Sequence, residues 1–177
     1  FSILLTFQNP GVKKRNYFNS EKLSSLYTPK TRLNGVGGFE GKNVIIIILE
    51  SFAEEYIGSL SNKPTYTPFL DSLLEESYVF KNNRSNGLKS MEALPSIFSG
   101  LPSLTNTSFI LSPYASNRIN SLPELLNSKG YSTSFFHAGE TGTMAFDAFC
   151  ENAGISDYFG LEDYPDKDQD FDGYWGI

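Results

Sequence analysis

The chain has 177 residues, a length that is sufficient for one domain with a substantial hydrophobic core. Apolar residues make up 40% of it, and its 15 Phe and 10 Tyr exclude a disordered tail. The net charge of −6, without an evident basic stripe, argues against nucleic-acid binding, which needs clustered Lys and Arg to neutralise phosphates.

Residues 1–41 are irregular, with turn formers around a short helix-like stretch at residues 17–27. We interpret them as a lead-in or wrapping segment that follows a membrane region. The chain starts without Met and stops abruptly, so we expect it to be part of a longer polypeptide. Its longest aliphatic run, residues 44–49, is far below the roughly 18 residues that span a bilayer.

The sequence changes character at Asn43. The run "NVIIIILE", residues 43–50, is typical of a central strand covered on both faces in a parallel sheet. Thr67 and Pro68 then predict the cap and first turn of a helix. "SYVFKNN", residues 77–83, reads as a second strand.

The next elements repeat this alternation. "NGLKSMEALPSIFSG", residues 86–100, has helical spacing, and a further helix is predicted at residues 121–129, ended by Gly130. Residues 131–139 predict a third strand, and residues 143–153 a helix that ends at Gly154. The pattern predicts an α/β fold with a mostly parallel central sheet flanked by helices, incomplete in this chain.

Three polar residues follow the predicted strands. Glu50 comes after the first, Ser90 after the second and His137, the only histidine, after the third. Ligands of such sheets bind beyond the carboxyl ends of the strands, so these residues are candidates for one site. Each also has a structural interpretation, because strand ends often carry polar residues that simply face water.

Ser90 has two compatible interpretations. Its hydroxyl is suited to cap the helix that follows, which contributes about 1 kcal/mol. The positive end of the helix dipole, with Lys89 beside it, would also hold a phosphate against that hydroxyl. Serine is a weak nucleophile unless a base or a metal activates it. With one histidine and no GxSxG motif, metal activation with Glu50 as a ligand is favoured over a serine-hydrolase triad.

Two further features are interpreted as structural. Cys150, the single cysteine, lies in a helical pattern and is expected to be a buried, unreactive thiol. The acidic run with Asp168, Asp170 and Asp172 matches the first half of a calcium-binding loop, but a solvated acidic loop is favoured.

Four segments together resemble the sulfatase-like arm of the alkaline phosphatase superfamily, and especially the lipoteichoic acid synthase type of phosphoglycerol transferases. They are "NVIIIILES", "TPFLDSLLEESYVFKNN", "GLKSMEALPSIFSG", and "FFHAG" with "YFGLEDY" and "DFDGYWGI". The similarity covers residues 42–177, which we interpret as the N-terminal portion of a catalytic domain.

The resemblance implies specific roles. Glu50 corresponds to a metal ligand, Ser90 to the nucleophile and further metal ligand, and His137 to the histidine of a substrate-side loop. Lys89 is a further candidate contact for substrate oxygens, because its charge lies beside Ser90. It implies Mn²⁺, with Mg²⁺, Zn²⁺ or Ca²⁺ as alternatives, a phospholipid donor, and a glycan or glycerol-type acceptor. The domain would lie on the extracytoplasmic side of a cell membrane, held there by helices upstream.

The departures from the family pattern leave alternatives open. Glu92 and Leu94 occupy the Pro and Arg positions of the sulfatase modification signature, which disfavours a sulfuric ester hydrolase. Gly139, Met144 and Phe146 replace the residues that grip glycerol phosphate in the family. A metal-dependent phosphatase or phosphodiesterase, or a non-catalytic cell-surface binding module on the same fold, would also fit.

Overall fold

The computed structural model describes residues 12–28, 38–61 and 63–165. They belong to two compact units, whose described parts lie within residues 12–77 and 78–165. Within these ranges, no helix has the length and apolar character needed to cross a membrane. Residues 1–11 and the acidic run that contains Asp168, Asp170 and Asp172 lie outside the described residues.

The first unit is built from short helices. They are α1 (Ser20–Leu26), α2 (Gly58–Ser61) and α3 (Pro68–Glu75), with a 3₁₀ turn at Glu54–Tyr56. The predictions of helix at residues 17–27 and after Thr67 are confirmed, although the Thr67 hydroxyl makes no capping hydrogen bond. Asp71 connects α2 to α3, because its carboxylate accepts hydrogen bonds from the Ser59 amide at 2.7 Å and from the Thr65 hydroxyl.

The second unit contains the regular α/β part of the chain. Its elements are α4 (Ser90–Ser99), a 3₁₀ turn (Phe109–Leu111), α5 (Leu122–Asn127), β1 (Ser134–Phe136), a 3₁₀ turn (Thr143–Ala145), α6 (Phe146–Asn152), β2 (Asp157–Phe159) and a 3₁₀ turn (Leu161–Asp163). The strands are parallel, with Phe135 opposite Tyr158. Helix α6 provides the crossover that parallel neighbours need.

One hydrophobic core supports this second unit. Its buried members are Leu94, Phe98, Ile110, Ile119, Phe146, Phe149, Cys150 and Ala153. Phe98 of α4 stacks on Phe149 of α6 and meets Phe135 of β1 edge-on, with ring centroids 6.2 and 6.3 Å apart. Helix α4 and strand β1 are therefore held by the same aromatic layer.

The α/β prediction is confirmed, but two of its three strands are not. Strand β1 falls within the third predicted strand, whereas residues 43–49 and 78–80 are neither strand nor helix. The side chains of residues 44–49 are 44–85% exposed, and Tyr78 is 98% exposed. A β-branched run favours extended backbone, but it becomes a strand only where neighbouring backbone supplies hydrogen bonds.

Candidate active site around helix α4

Ser90 is the first residue of α4, and it is half-buried. The prediction that Ser90 is the N-cap is wrong, because Lys89 has the extended backbone of that position, with φ −134° and ψ 149°. With Ser90 as the cap, the helix would begin at Met91, whereas it begins at Ser90. Ser90 therefore lies within the first turn, in the field of the helix N-terminus.

Glu92 determines this start. Its Oε2 accepts hydrogen bonds from the backbone amides of Leu88, at 2.7 Å, and of Lys89, at 3.2 Å. These bonds, the Leu88 amide first, hold the pKa of the Glu92 carboxyl below its ordinary value. A glutamate three residues after the cap that reaches back to the cap amide is half of a capping box. The spacing was visible in the sequence, but lysine is not a favoured cap residue, so this role was missed.

Gly87 makes room for that carboxylate. A Cβ added at Gly87 would lie 2.6 Å from Glu92 Cβ and would also overlap Oε2. A side chain there would displace Glu92 from the turn. Gly87 and Glu92 thus fix the backbone that presents Lys89 and Ser90.

A second feature that stabilises α4 is a side-chain hydrogen bond that compensates for Pro95 inside the helix. Proline has no amide hydrogen, so residue 95 cannot donate to the carbonyl oxygen of Met91, four residues earlier. The buried Ser108 donates instead, with its Oγ 3.0 Å from Met91 O. Ser108 therefore anchors the helix one residue beyond Ser90. The sequence shows the proline, but it does not show that Ser108, 17 residues after Met91, donates to the Met91 carbonyl.

His137 follows β1 directly, as predicted. Its amide donates to the carbonyl oxygen of Phe159 at 2.9 Å, which extends the β1–β2 pairing by one residue. The imidazole stacks on Phe135 and meets Phe146 edge-on, at centroid distances of 6.4 and 5.1 Å. Burial lowers the pKa of His137, and a hydrogen bond with the Gly139 backbone partly opposes it.

The loop after His137 depends on two glycines. A Cβ at Gly139 would lie 2.7 Å from His137 Cε1, and one at Gly160 would lie 2.7 Å from a Glu162 carboxylate oxygen. Glu162 accepts from both the amide and the hydroxyl of Thr141, at 3.0–3.2 Å. It thereby ties the loop after β1 to the segment after β2.

Glu50 belongs to the other unit, where it lies in a turn rather than at the end of a strand. Its side chain is exposed, and Oε1 accepts a hydrogen bond from the Ser51 hydroxyl at 3.1 Å. Of the three residues predicted to follow strands, only His137 does so. Lys89, Ser90 and His137 lie in one unit, and their elements share the Phe98–Phe135 contact.

Cys150 is confirmed as a buried thiol. It is 0% exposed, and burial, followed by the charge of Asp147, raises its pKa to about 12. A thiol with such a pKa is unreactive at neutral pH. Across the described ranges, no three His, Cys, Asp or Glu side chains are grouped closely enough to hold a metal ion.

This chain is similar to two solved structures, of which the first shares its fold. A protein in the alkaline phosphatase superfamily from Vibrio parahaemolyticus has a similar structure, with a TM-score of 0.64 and 24% identity over 72% of this chain. Lipoteichoic acid synthase LtaP from Listeria monocytogenes gives a TM-score of 0.44 and 22% identity over 52% of the chain. The chain spans 30% and 21% of the lengths of these two proteins.

The family model for sulfatases matches residues 42–176, well over half of the chain. The match includes Glu50, Lys89, Ser90 and His137. On this evidence, and with an α/β fold like that of the alkaline phosphatases, the chain belongs to the sulfatase family.

Proposed function

We propose that this chain is the N-terminal part of an extracytoplasmic, metal-dependent transferase. It would move a phosphoglycerol-like group from a phospholipid to a glycan or glycerol-type acceptor. Members of the superfamily are hydrolases or transferases of sulfate or phosphate esters. The observation that carries the proposal is the position of Ser90, the first residue of a ten-residue helix. Glu92 and Gly87 determine the conformation of the backbone turn that precedes it.

Ser90 is the proposed nucleophile. Its hydroxyl oxygen would bond to phosphorus as it loses its proton, and the bond from phosphorus to the diacylglycerol oxygen would break. The leaving oxygen takes up a proton. In the second step an acceptor hydroxyl displaces Ser90, whose hydroxyl is restored. The amides of the first turn of α4 favour the negative charge on the phosphoryl oxygens throughout.

Lys89 and His137 are proposed as contacts for substrate oxygens. Lys89 is exposed and adjacent to the nucleophile, which suits it to bind an anionic ester. Burial favours neutral His137 at pH 7, since its pKa lies below the ordinary 6.5. A neutral imidazole can donate one hydrogen bond without adding charge.

Members of the superfamily generally depend on divalent metal ions. The Glu50 carboxylate and the Ser90 hydroxyl are hard oxygen donors of the kind that Mn²⁺ and Mg²⁺ prefer, so their chemistry fits. Two donors are fewer than such ions need, and the described residues hold no cluster of three. When bound, the ion would lower the pKa of a coordinated hydroxyl and neutralise phosphoryl charge. We propose Mn²⁺, with the remaining ligands supplied by other parts of the polypeptide.

A phosphorus ester is proposed rather than a sulfate ester. Sulfatases of this family modify a Cys or Ser that is followed by Pro and Arg, and this chain has Glu92 and Leu94 there. Glu92 is also committed to the amides before the helix. We therefore propose that Ser90 acts unmodified, as the alcohol.

The test uses the complete protein with Mn²⁺ and a phospholipid labelled in its head group. A covalent adduct should form on Ser90, to be located by peptide mass spectrometry, and should be absent in Ser90→Ala. The matched control is Ser85→Ala, because Ser85 is exposed and lies five residues upstream. An adduct that survives Ser90→Ala would refute the nucleophile assignment.

The same incubation separates transfer from hydrolysis. A transferase should label an added glycan or glycerol-type acceptor, and the label should pass through Ser90. Release of free head-group phosphate with no labelled acceptor would instead support the phosphatase or phosphodiesterase. If a folded protein with Mn²⁺ bound gives neither an adduct nor turnover, the result would support the non-catalytic binding module instead of an enzyme.

A further inference from the structure

Basic residues are concentrated, together with three aromatic residues, in a segment that the site does not use. Residues 12–28, which we call the basic aromatic segment, contain Lys13, Lys14, Arg15 and Lys22 but one acidic residue, Glu21. Their net charge of +3 contrasts with −6 for the whole chain, so all the other residues together carry −9. The whole-chain charge had hidden this local basic cluster.

Helix α1 displays an apolar face within this segment. Asn19 caps it, accepting the Lys22 amide at 2.8 Å, and Phe18 precedes the cap. Leu23 and Leu26 are spaced i and i+3, so they share one side of the helix, and Tyr27 follows directly as its C-cap residue. They are 53%, 57% and 64% exposed.

The charges are arranged around that face. At about 100° per residue, Glu21 projects ~160° from Leu23, whereas Lys22 lies ~40° beyond Leu26, at the edge of the apolar face. On the N-terminal side, the Arg15 guanidinium donates a hydrogen bond to the Tyr17 hydroxyl at 3.1 Å. Exposed aromatics flanked by cations are typical of segments that lie at the surface of an anionic bilayer.

We propose that the basic aromatic segment binds the surface of a membrane that contains anionic phospholipid. Lys13, Lys14 and Arg15 would attract the head groups, while Phe18, Leu23, Leu26 and Tyr27 enter the interface. The choice of a lipid surface over another polyanion rests on the proposed function, in which the donor is a phospholipid. The apolar face favours the same choice, because charge attraction alone does not require it.

The test measures binding of the full 177-residue chain to vesicles of phosphatidylcholine with 30% phosphatidylglycerol, and to vesicles of phosphatidylcholine alone. Flotation should show binding to the anionic vesicles that weakens as salt is added. The variant Lys13→Gln, Lys14→Gln, Arg15→Gln should bind at least tenfold less, since each basic residue near such a surface contributes roughly fivefold. Its matched control is Lys63→Gln, Lys81→Gln, Arg84→Gln, at three exposed positions outside the segment.

The aromatic contribution has its own matched pair. The variant Phe18→Ser, Tyr27→Ser changes two side chains that lie outside the helix. It should weaken binding at least fivefold, because the native Phe18 and Tyr27 would bury apolar area in the membrane interface. The control, Phe80→Ser with Tyr78→Ser, alters residues that are 83% and 98% exposed. Circular dichroism should show the same fold in all four variants.

Three results would overturn the proposal: no binding to anionic vesicles, equal losses in the control variants, or full binding by the aromatic variant. The last would indicate a binder of polyanions such as nucleic acid. Ser90→Ala should bind vesicles like the parent chain. A failure of the covalent adduct with vesicle binding intact would therefore refute the proposed function alone, and the reverse outcome would refute this inference alone.

Discussion

The hydrogen bond from Ser108 to Met91 can be tested by a double-mutant cycle with Pro95. Ser108 is 5% exposed, and its hydroxyl reaches the one α4 carbonyl that Pro95 leaves without an i+4 amide. We expect Ser108→Ala to remove that hydrogen bond and leave a buried acceptor unsatisfied. The free energy of unfolding should then fall by about 1–3 kcal/mol.

Pro95→Ala supplies the missing partner. An alanine at residue 95 has an amide hydrogen directed at Met91 O, as in any regular helix. In that background Ser108→Ala should lower the free energy of unfolding by only about 0.5–1 kcal/mol, because the carbonyl keeps one donor. The coupling between the two substitutions should therefore be about 1 kcal/mol, within the range expected of residues that share a partner.

Urea unfolding of the four proteins, followed by circular dichroism, measures these free energies with a common slope. Ser85→Ala serves as the matched control, since Ser85 is exposed and should change stability by less than about 0.5 kcal/mol. Equal losses from Ser108→Ala with Pro95 and with Ala at residue 95 would refute the reasoning. They would mean that Ser108 stabilises the chain without replacing the amide that proline lacks.

Three other outcomes follow from the second unit. Gly87→Ala should lower Tm by roughly 4 °C or more, because the added Cβ overlaps Glu92. The control Gly38→Ala should leave Tm unchanged, since no atom lies within 4 Å of a Cβ there. Equal shifts in the two variants would contradict the steric argument. The folded-state pKa of Glu92 lies below its ordinary 4.5, so the stability it contributes is present above pH 4.5 and is lost as pH falls through the folded pKa. Urea unfolding of Glu92→Gln between pH 3 and 6 should show a weaker pH dependence, and an unchanged slope would exclude this role. Cys150, with a pKa of about 12, should react with iodoacetamide at pH 8 only in urea, and rapid alkylation of the native chain would show that the thiol is accessible.

The local elements could be predicted because their signals lie within a few residues. Gly130 and Gly154 were predicted to end helices, and both have positive φ, 86° and 80°. Ser121 caps α5 by accepting the Glu124 amide at 3.1 Å. These terminations depend on backbone sterics and on hydrogen bonds between near neighbours, which the sequence displays directly.

The site was predicted in part. Lys89 and Ser90 at a helix start and His137 after a strand were predicted correctly as positions, while their chemical roles stay predictions. The cap was placed one residue late because serine is the commoner cap. In the structure the N-cap is Lys89, because the Glu92 carboxylate accepts a hydrogen bond from the Lys89 amide. That contact requires the space that Gly87 leaves.

By itself, the sequence determined the α/β alternation, the helix of Ser90, the strand before His137 and the burial of Cys150. Tertiary structure alone decided that β2 pairs with β1, that residues 43–49 do not form a strand among the described residues, and that Ser108 takes the place of the amide Pro95 lacks. The reason is the range of the interactions. A helix satisfies its hydrogen bonds within four residues, whereas a strand or a buried carbonyl needs partners whose distance along the chain no local pattern specifies.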